Sequence, residues 1–129
     1  GNLVQMAEIV ADAPHDFAVY SGDDGLTLPL LAVGGVGIVS VIAHLVGRQM
    51  KEMHTAFFSG DLTRAACLNA QMLPVLKACF QPTTPSPAPL KAGLNRLGVN
   101  VGGLRLPLAE ANEKEQAVIF AAMERVGLI

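Results

Sequence analysis

The stretch Ser21–His44, SGDDGLTLPLLAVGGVGIVSVIAH, decides how this sequence is interpreted. The segment from Gly25 to Gly47 carries no Asp, Glu, Lys or Arg, so it is long enough for a membrane-spanning helix of roughly 20 apolar residues. Pro29 and three closely spaced glycines argue against one continuous helix, because each glycine costs ~1 kcal/mol there. The pattern instead predicts a short helix, a glycine turn and a buried strand of β-branched residues.

Strands and helices are predicted to alternate around this stretch. A first strand is predicted at 17–21 and a second at 37–42. Helices are predicted from about Asp24 and from about His44, so the strands should pair in parallel through a helical crossover. Two β/α units cannot close a sheet. We therefore expect the sequence to be part of a larger fold.

Four further helices bring the prediction to two strands and six helices; they are expected at 2–11, 62–80, 88–97 and from Asn112 to about Val126. Asn112 and Glu115 have the spacing of a capping box. Pro74 predicts a kink within its helix. The proline-rich segment 81–89 predicts irregular structure.

The composition is apolar for a small chain. Hydrophobic residues make up 51% of the 129 residues and charged residues 16%, a surplus that indicates missing chain, a partner subunit or a membrane. A net charge of −2 gives no reason to expect nucleic acid. Cys67 and Cys79 fall on one predicted helix about 18 Å apart, beyond disulfide reach. We expect two reduced, buried thiols, a cytosol-like compartment and no signal peptide.

Asp23 and Asp24 are candidates for chemistry because active sites of parallel α/β folds gather at the C-terminal ends of strands. A simpler interpretation is favoured, in which Asp24 caps the following helix and Asp23 complements its dipole. The glycine-rich GGVGIVS precedes a strand and lacks both the third glycine of a dinucleotide fingerprint and the Gly-Lys-Ser/Thr of a P-loop. It does not predict a nucleotide-binding loop.

The histidines and lysines predict no catalytic group by themselves. His15 is expected in a loop, and His44 and His54 share one helix without further ligands at metal spacing, so no metal site is predicted. None of the lysines follows a strand, and each is expected on a solvated helix face; they are Lys51, Lys77, Lys91 and Lys114. No Ser-His-Asp or Cys-His pairing stands out.

Six motifs occur in order along the chain: GNL at 1–3, YSGDD at 20–24, GGVGIVSV at 34–41, Leu73-Pro74, PSPAPLKAGLNRLG at 85–98 and LRLPL at 104–108. Over nearly the whole chain this order resembles the C-terminal half of the dihydrodipicolinate synthase family. The resemblance implies an α/β fold, a partial TIM (β/α)8 barrel. Residues 1–60 would form the last two β/α units and residues 61–129 a C-terminal helical extension.

The resemblance also implies an activity. Family enzymes are Schiff-base lyases that condense pyruvate with L-aspartate 4-semialdehyde in lysine (diaminopimelate) biosynthesis. Their Schiff-base lysine stands in a Lys-Glu-Ala segment just before the motif matched by Gly1, so the resemblance implies that it lies upstream. We therefore expect no catalytic residue within this chain and an inactive fragment. A cytoplasmic homotetramer without cofactor, metal, nucleic acid or membrane is implied for the complete enzyme.

Two binding residues carry over from the family to this chain. Gly22 matches the glycine that lines the substrate pocket, and Val39 matches the position whose backbone carbonyl faces the pyruvyl-lysine. In the complete enzyme we expect the Val39 side chain to pack, so that Val39→Ala costs about 1–3 kcal/mol. We expect Gly22 to tolerate no side chain, because a glycine lets the backbone approach a ligand closely.

Three alternatives remain at this point. One is another pyruvate-dependent aldolase or lyase, against which SGDD and LRLPL argue. The second is a small helical module that binds a partner through its apolar surplus. The third is a membrane-anchored protein.

Overall fold

Six α-helices and two short strands form the computed structural model, which describes residues 1–129. The prediction of six helices and two strands is confirmed, with strands and helices alternating as far as α3 and three more helices after it. In chain order the elements are α1 (Leu3–Asp12), β1 (Tyr20–Ser21), α2 (Thr27–Ala32), β2 (Gly37–Ile38), α3 (Ala43–Phe58), α4 (Leu62–Cys79), α5 (Ala88–Arg96) and α6 (Glu113–Arg125), with a 3-10 turn at Asp24–Leu26 before α2.

The two strands pair in parallel across the α2 crossover, as predicted. In the register, Tyr20 pairs with Gly37 and Ser21 pairs with Ile38. The glycine matters at this pairing, because a Cβ at Gly37 would lie 3.0 Å from the Tyr20 ring.

Both strands are shorter than the predicted 17–21 and 37–42. The predicted second strand ends early because the backbone of Val41 and Ile42 turns into α3, where Ile42 already has helical angles (φ −73°, ψ −15°). Their N–H groups bond to a carboxylate instead of a neighbouring strand. A β-branched run is thus not enough to make a strand where a helix start competes for its N–H groups.

The hydrophobic core lies among helices α3, α4, α5 and α6. Its 16 buried residues all come from Ile42 onward and lie on α3, α4, α5 and α6 or directly before α3. Met53, Val75, Ile119 and Met123 are fully buried there. By contrast α1 has no buried residue, although it forms the amphipathic helix that the sequence predicts.

Pro74 lies inside α4 without ending it, and α4 continues for five residues beyond it to Cys79. A proline interrupts one helical hydrogen bond, and the kink expected at Pro74 stays a prediction. A kink is present in α3, at the irregular residue Val46 (φ −117°, ψ 31°).

The segment between α4 and α5 has no regular structure, as predicted, but it is packed against the core. Thr84 is buried, and the Gln81 amide donates to the carbonyl oxygens of Ala78 and Glu115 at 2.9 and 3.0 Å. The predicted capping box at the start of α6 is confirmed: Asn112 N donates to Glu115 Oε2, and the Asn112 side chain accepts from Glu115 N.

The prediction that both cysteines are buried needs correction. Both thiols are free, but only Cys79 is buried; Cys67 faces solvent because it lies on the outer face of α4. No helix has both the length and the apolar character needed to cross a bilayer. The uncharged stretch is instead divided between α2, β2 and the start of α3.

Candidate functional site

The strand register places Gly22 and Val39 next to each other. Ser21 pairs with Ile38, so Gly22 and Val39 are the following positions on the two strands. Neighbouring strands lie roughly 4.8 Å apart. Both residues are therefore at the C-terminal ends of parallel strands, the edge at which α/β barrels bind their substrates.

Val39 is held by its backbone. Its N–H donates to the Ser21 carbonyl at 2.9 Å, while its own carbonyl accepts no hydrogen bond within the chain. The side chain is 74% exposed, so the expected packing of this side chain is absent in residues 1–129. The polar group that Val39 offers to a ligand is its carbonyl oxygen.

Gly22 borders an open cleft of about 500 Å³, which is lined by Gly22, Asp23, Leu76, Lys77 and Phe80. A Cβ built at Gly22 meets no atom within 4 Å. Within this chain the position therefore has room for a side chain. The expected intolerance of Gly22 would have to come from a ligand or from further protein at the cleft.

Asp23 and Asp24 exchange the roles that the sequence predicts for them. Asp23 caps the turn after β1, since its carboxylate accepts from Gly25 N at 2.9 Å. Asp24 is only 4% exposed, and its carboxylate points to the other strand. The prediction that Asp24 caps the following helix is wrong because its oxygens are taken up by groups after β2.

The Asp24 carboxylate accepts three hydrogen bonds from the segment that leads into α3. The Ser40 hydroxyl donates to Oδ1, and the N–H groups of Val41 and Ile42 donate to Oδ2 at 3.0 and 3.5 Å. The Ser40 hydroxyl also accepts from Ala43 N at 2.8 Å. Asp24 thus joins the loop after β1 to the N-terminus of α3, where a negative charge is favourable.

Cys79 is a buried thiol on α4 that senses the charge of Asp24. Burial, and secondarily the charge of Asp24, raises the pKa of its thiol from 9.0 to about 12. Since the thiolate is the nucleophilic form of cysteine, this thiol is inert at neutral pH.

A model of the "Dihydrodipicolinate synthetase family" matches residues 1–126. The chain belongs to this family. The 4-hydroxy-tetrahydrodipicolinate synthase of Moorella thermoacetica is 48% identical over 129 residues, which are 100% of this chain and 44% of that protein.

Solved structures of dihydrodipicolinate synthases superpose on the chain. The Bacillus anthracis enzyme has a TM-score of 0.90 at 44% identity, covering 96% of this chain and 42% of that one. The Acinetobacter baumannii enzyme, solved in complex with pyruvate, has a TM-score of 0.90 at 26% identity, covering 99% and 43%. These relatives are TIM-barrel enzymes, and this chain is a helix-rich α/β portion of that barrel with two strands.

The chain spans less than half of the length of these dihydrodipicolinate synthase relatives. None of its lysines lies at the strand ends. Lys51, Lys77 and Lys114 are exposed on helices, and the half-buried Lys91 donates to the Gly103 carbonyl. Lys77 alone borders the cleft beside Gly22.

The histidines also lie outside the strand ends. His15 follows α1 in an exposed turn, and His44 is exposed on α3. His54 Nδ1 lies 2.8 Å from the Met50 carbonyl of its own helix. No group of three or more His, Cys, Asp or Glu side chains is placed to hold a metal ion.

The sequence pattern does not predict the role of Ser40 or the true role of Asp24. A local signal for Ser40 is present, because serine is a common N-cap residue and Ser40 Oγ accepts from Ala43 N at the start of α3. No local signal reveals that its hydrogen-bond partner lies 16 residues earlier in the chain.

Proposed function

We propose that residues 1–129 contribute the C-terminal part of a 4-hydroxy-tetrahydrodipicolinate synthase. The complete enzyme condenses pyruvate with L-aspartate 4-semialdehyde through a Schiff base, in lysine (diaminopimelate) biosynthesis. The observation that carries this proposal is the register that sets Gly22 beside Val39, with the Val39 carbonyl left free of hydrogen bonds. Family membership supplies the reaction class.

Within that enzyme the chain provides one wall of the pyruvate site. The Val39 carbonyl is a hydrogen-bond acceptor without a partner inside the chain, and Gly22 lets backbone approach a ligand without an intervening side chain. Neither group can form a Schiff base. Their part is to bind and orient the pyruvyl group at the strand ends.

The Schiff-base lysine is proposed to come from a part of the enzyme outside residues 1–129. An amine becomes nucleophilic at neutral pH when its pKa is lowered, as in a desolvated pocket. Lys51, Lys77 and Lys114 are exposed, and the Lys91 ammonium is bound to a carbonyl group. We therefore propose that residues 1–129 alone are inactive. The complete enzyme is proposed to be a cytoplasmic homotetramer.

The test compares residues 1–129 with a chimera. In the chimera, this chain replaces the matched 44% of the Moorella thermoacetica enzyme. Each protein is incubated with pyruvate and borohydride, and the trapped adduct is located by intact mass and peptide mapping. We expect no adduct on residues 1–129 alone, and in the chimera one adduct on a lysine of the Moorella part.

Two outcomes would contradict the proposal. One is an adduct on any of the four lysines of residues 1–129. The other is a folded chimera that traps pyruvate but condenses a different aldehyde in preference to L-aspartate 4-semialdehyde. The latter result would favour another pyruvate-dependent aldolase or lyase.

A further inference from the structure

We propose that Asp24 is a positioning residue that holds the two substrate-contacting loops, Gly22 on one and Val39 on the other, in a fixed relation. This inference rests on the proposed function, since it gives those loops their substrate. It assigns to a buried carboxylate a task beyond capping a helix.

The first support is the position of Asp24 relative to the binding residues. Asp24 follows Gly22 by two residues, and its partner Ser40 directly follows Val39. The carboxylate therefore acts on both loops one or two residues from the groups proposed to meet pyruvate. Because such short segments have few free torsions, a shift at Asp24 or Ser40 moves Gly22 or Val39 with it.

The second support is that the other local bonds do not fix this relation by themselves. Ser21 Oγ donates to the Asp23 carbonyl at 2.8 Å and accepts from Asp23 N at 3.0 Å, which closes only the first loop. Past the sheet, the one backbone bond between the loops is Val39 N to Ser21 O at 2.9 Å. The three bonds to the Asp24 carboxylate are the remaining polar link.

The third support is burial. Asp24 is 4% exposed, so water does not compete for its oxygens. Bonds to a carboxylate in such surroundings are stronger and more directional than at the surface. An isosteric Asn keeps one acceptor oxygen and turns an NH₂ toward N–H or O–H donors. Asp24→Asn should therefore loosen the link without removing the side-chain volume.

The experiment uses the complete synthase that contains residues 1–129, with four variants. Asp24→Asn and Ser40→Ala weaken the link, and Ser40→Thr keeps the hydroxyl. Ile119→Val is the matched control for lost stability, because Ile119 is fully buried on α6 away from both loops. Each variant is measured for its Tm, its KM for pyruvate, its kcat and its hydrogen exchange.

We expect Asp24→Asn to lower kcat/KM for pyruvate by about ten- to a hundredfold, because a displacement of about 1 Å at a reacting group can cost that much. The larger part of this loss in kcat/KM should come from a higher KM for pyruvate. The kcat/KM of Ser40→Ala should lie between the values of wild type and Asp24→Asn. Ser40→Thr, which keeps the hydroxyl, should recover most of the kcat/KM that Ser40→Ala loses. Amide hydrogen exchange of the peptide that contains Val41 and Ile42 should be faster in Asp24→Asn than in wild type. Its rate should be unchanged in Ile119→Val.

The proposal is overturned if Asp24→Asn loses no more kcat/KM than Ile119→Val at equal loss of Tm. If Asp24→Asn does not fold, the pair Ser40→Ala and Ser40→Thr decides by the same comparison, and equal kinetics for the two would overturn the proposal. If wild type traps no pyruvate, the proposed function fails and Asp24 positioning fails with it. That result is distinguishable, since it is seen before any variant is made.

Discussion

Replacing Val39 by proline should be more damaging than replacing it by alanine, because the backbone of Val39 is better engaged than its side chain. The Val39 N–H donates to the Ser21 carbonyl at 2.9 Å, and no other group donates to that carbonyl. Ser21 is 1% exposed, so Val39→Pro leaves a buried acceptor without a partner. An unsatisfied buried acceptor costs about 1–3 kcal/mol.

The alanine substitution has a smaller expected effect. Full burial of a valine side chain contributes about 1.5–3 kcal/mol, and the Val39 side chain is 74% exposed. From its surroundings in residues 1–129, Val39→Ala should cost below about 1 kcal/mol. The 1–3 kcal/mol expected for the complete enzyme stays a prediction, because it depends on protein outside residues 1–129 that packs against this side chain.

The assay is chemical denaturation of the complete synthase that contains residues 1–129, together with the yield of borohydride-trapped pyruvate. Ala109→Pro is the matched proline control, because Ala109 is exposed and its N–H donates no hydrogen bond within the chain. We expect Val39→Pro to lose both stability and adduct, Val39→Ala to lose less of each, and Ala109→Pro to lose little of either. Equal stability and equal adduct yield for Val39→Pro and Val39→Ala would contradict this prediction.

Four further predictions concern the thiols, the isolated chain and the last helix. Burial and Asp24 raise the pKa of Cys79 from 9.0 to about 12, so at pH 8 its thiolate fraction should be about a thousandfold lower than that of a thiol with a pKa of 9.0. Iodoacetamide should therefore label the exposed Cys67 first, and equal labelling of both thiols in the native protein would contradict this. The pKa of Cys79 is higher in the folded state than in the unfolded state, so the contribution of Cys79 to stability is present below pH 9 and should be lost as the pH rises toward 12. Urea denaturation at a series of pH values measures this loss. Residues 1–129 alone should associate, since Phe17, Phe58 and Leu106 are among many exposed apolar side chains; a monodisperse 13.5 kDa species in sedimentation velocity would count against this. Asn112→Ala removes the acceptor of two N–H groups at the start of α6 and should cost about 1 kcal/mol in urea denaturation, whereas no measurable change would mean that the cap is dispensable.

The helices could be predicted from the sequence because their signals are local. Apolar spacing, the Asn112 cap and glycine stops each act within a few residues, and the observed bounds of all six helices follow them closely. The order of strands and helices likewise predicts parallel pairing, and the family motifs predict the barrel. Residues 1–60 as barrel units and 61–129 as an extension stay a prediction.

The parts that could not be predicted depend on contacts between distant residues. The end of β2 is set by Asp24, which attracts the N–H groups of Val41 and Ile42 from 17 and 18 positions away. Cys67 and Cys79 look alike in a helical pattern, yet only packing against other helices decides which thiol is buried. The exposure of Val39 similarly follows from what does and does not cover the strand ends.

The bond between Asp24 and Ile42 has a consequence for how this protein opens. Ile42 belongs to the 16-residue core cluster and its N–H donates to the Asp24 carboxylate, whereas α1 has no buried residue. Local unfolding follows the distribution of buried contacts. We therefore expect α1 to open first, while the binding edge stays attached to the helical core.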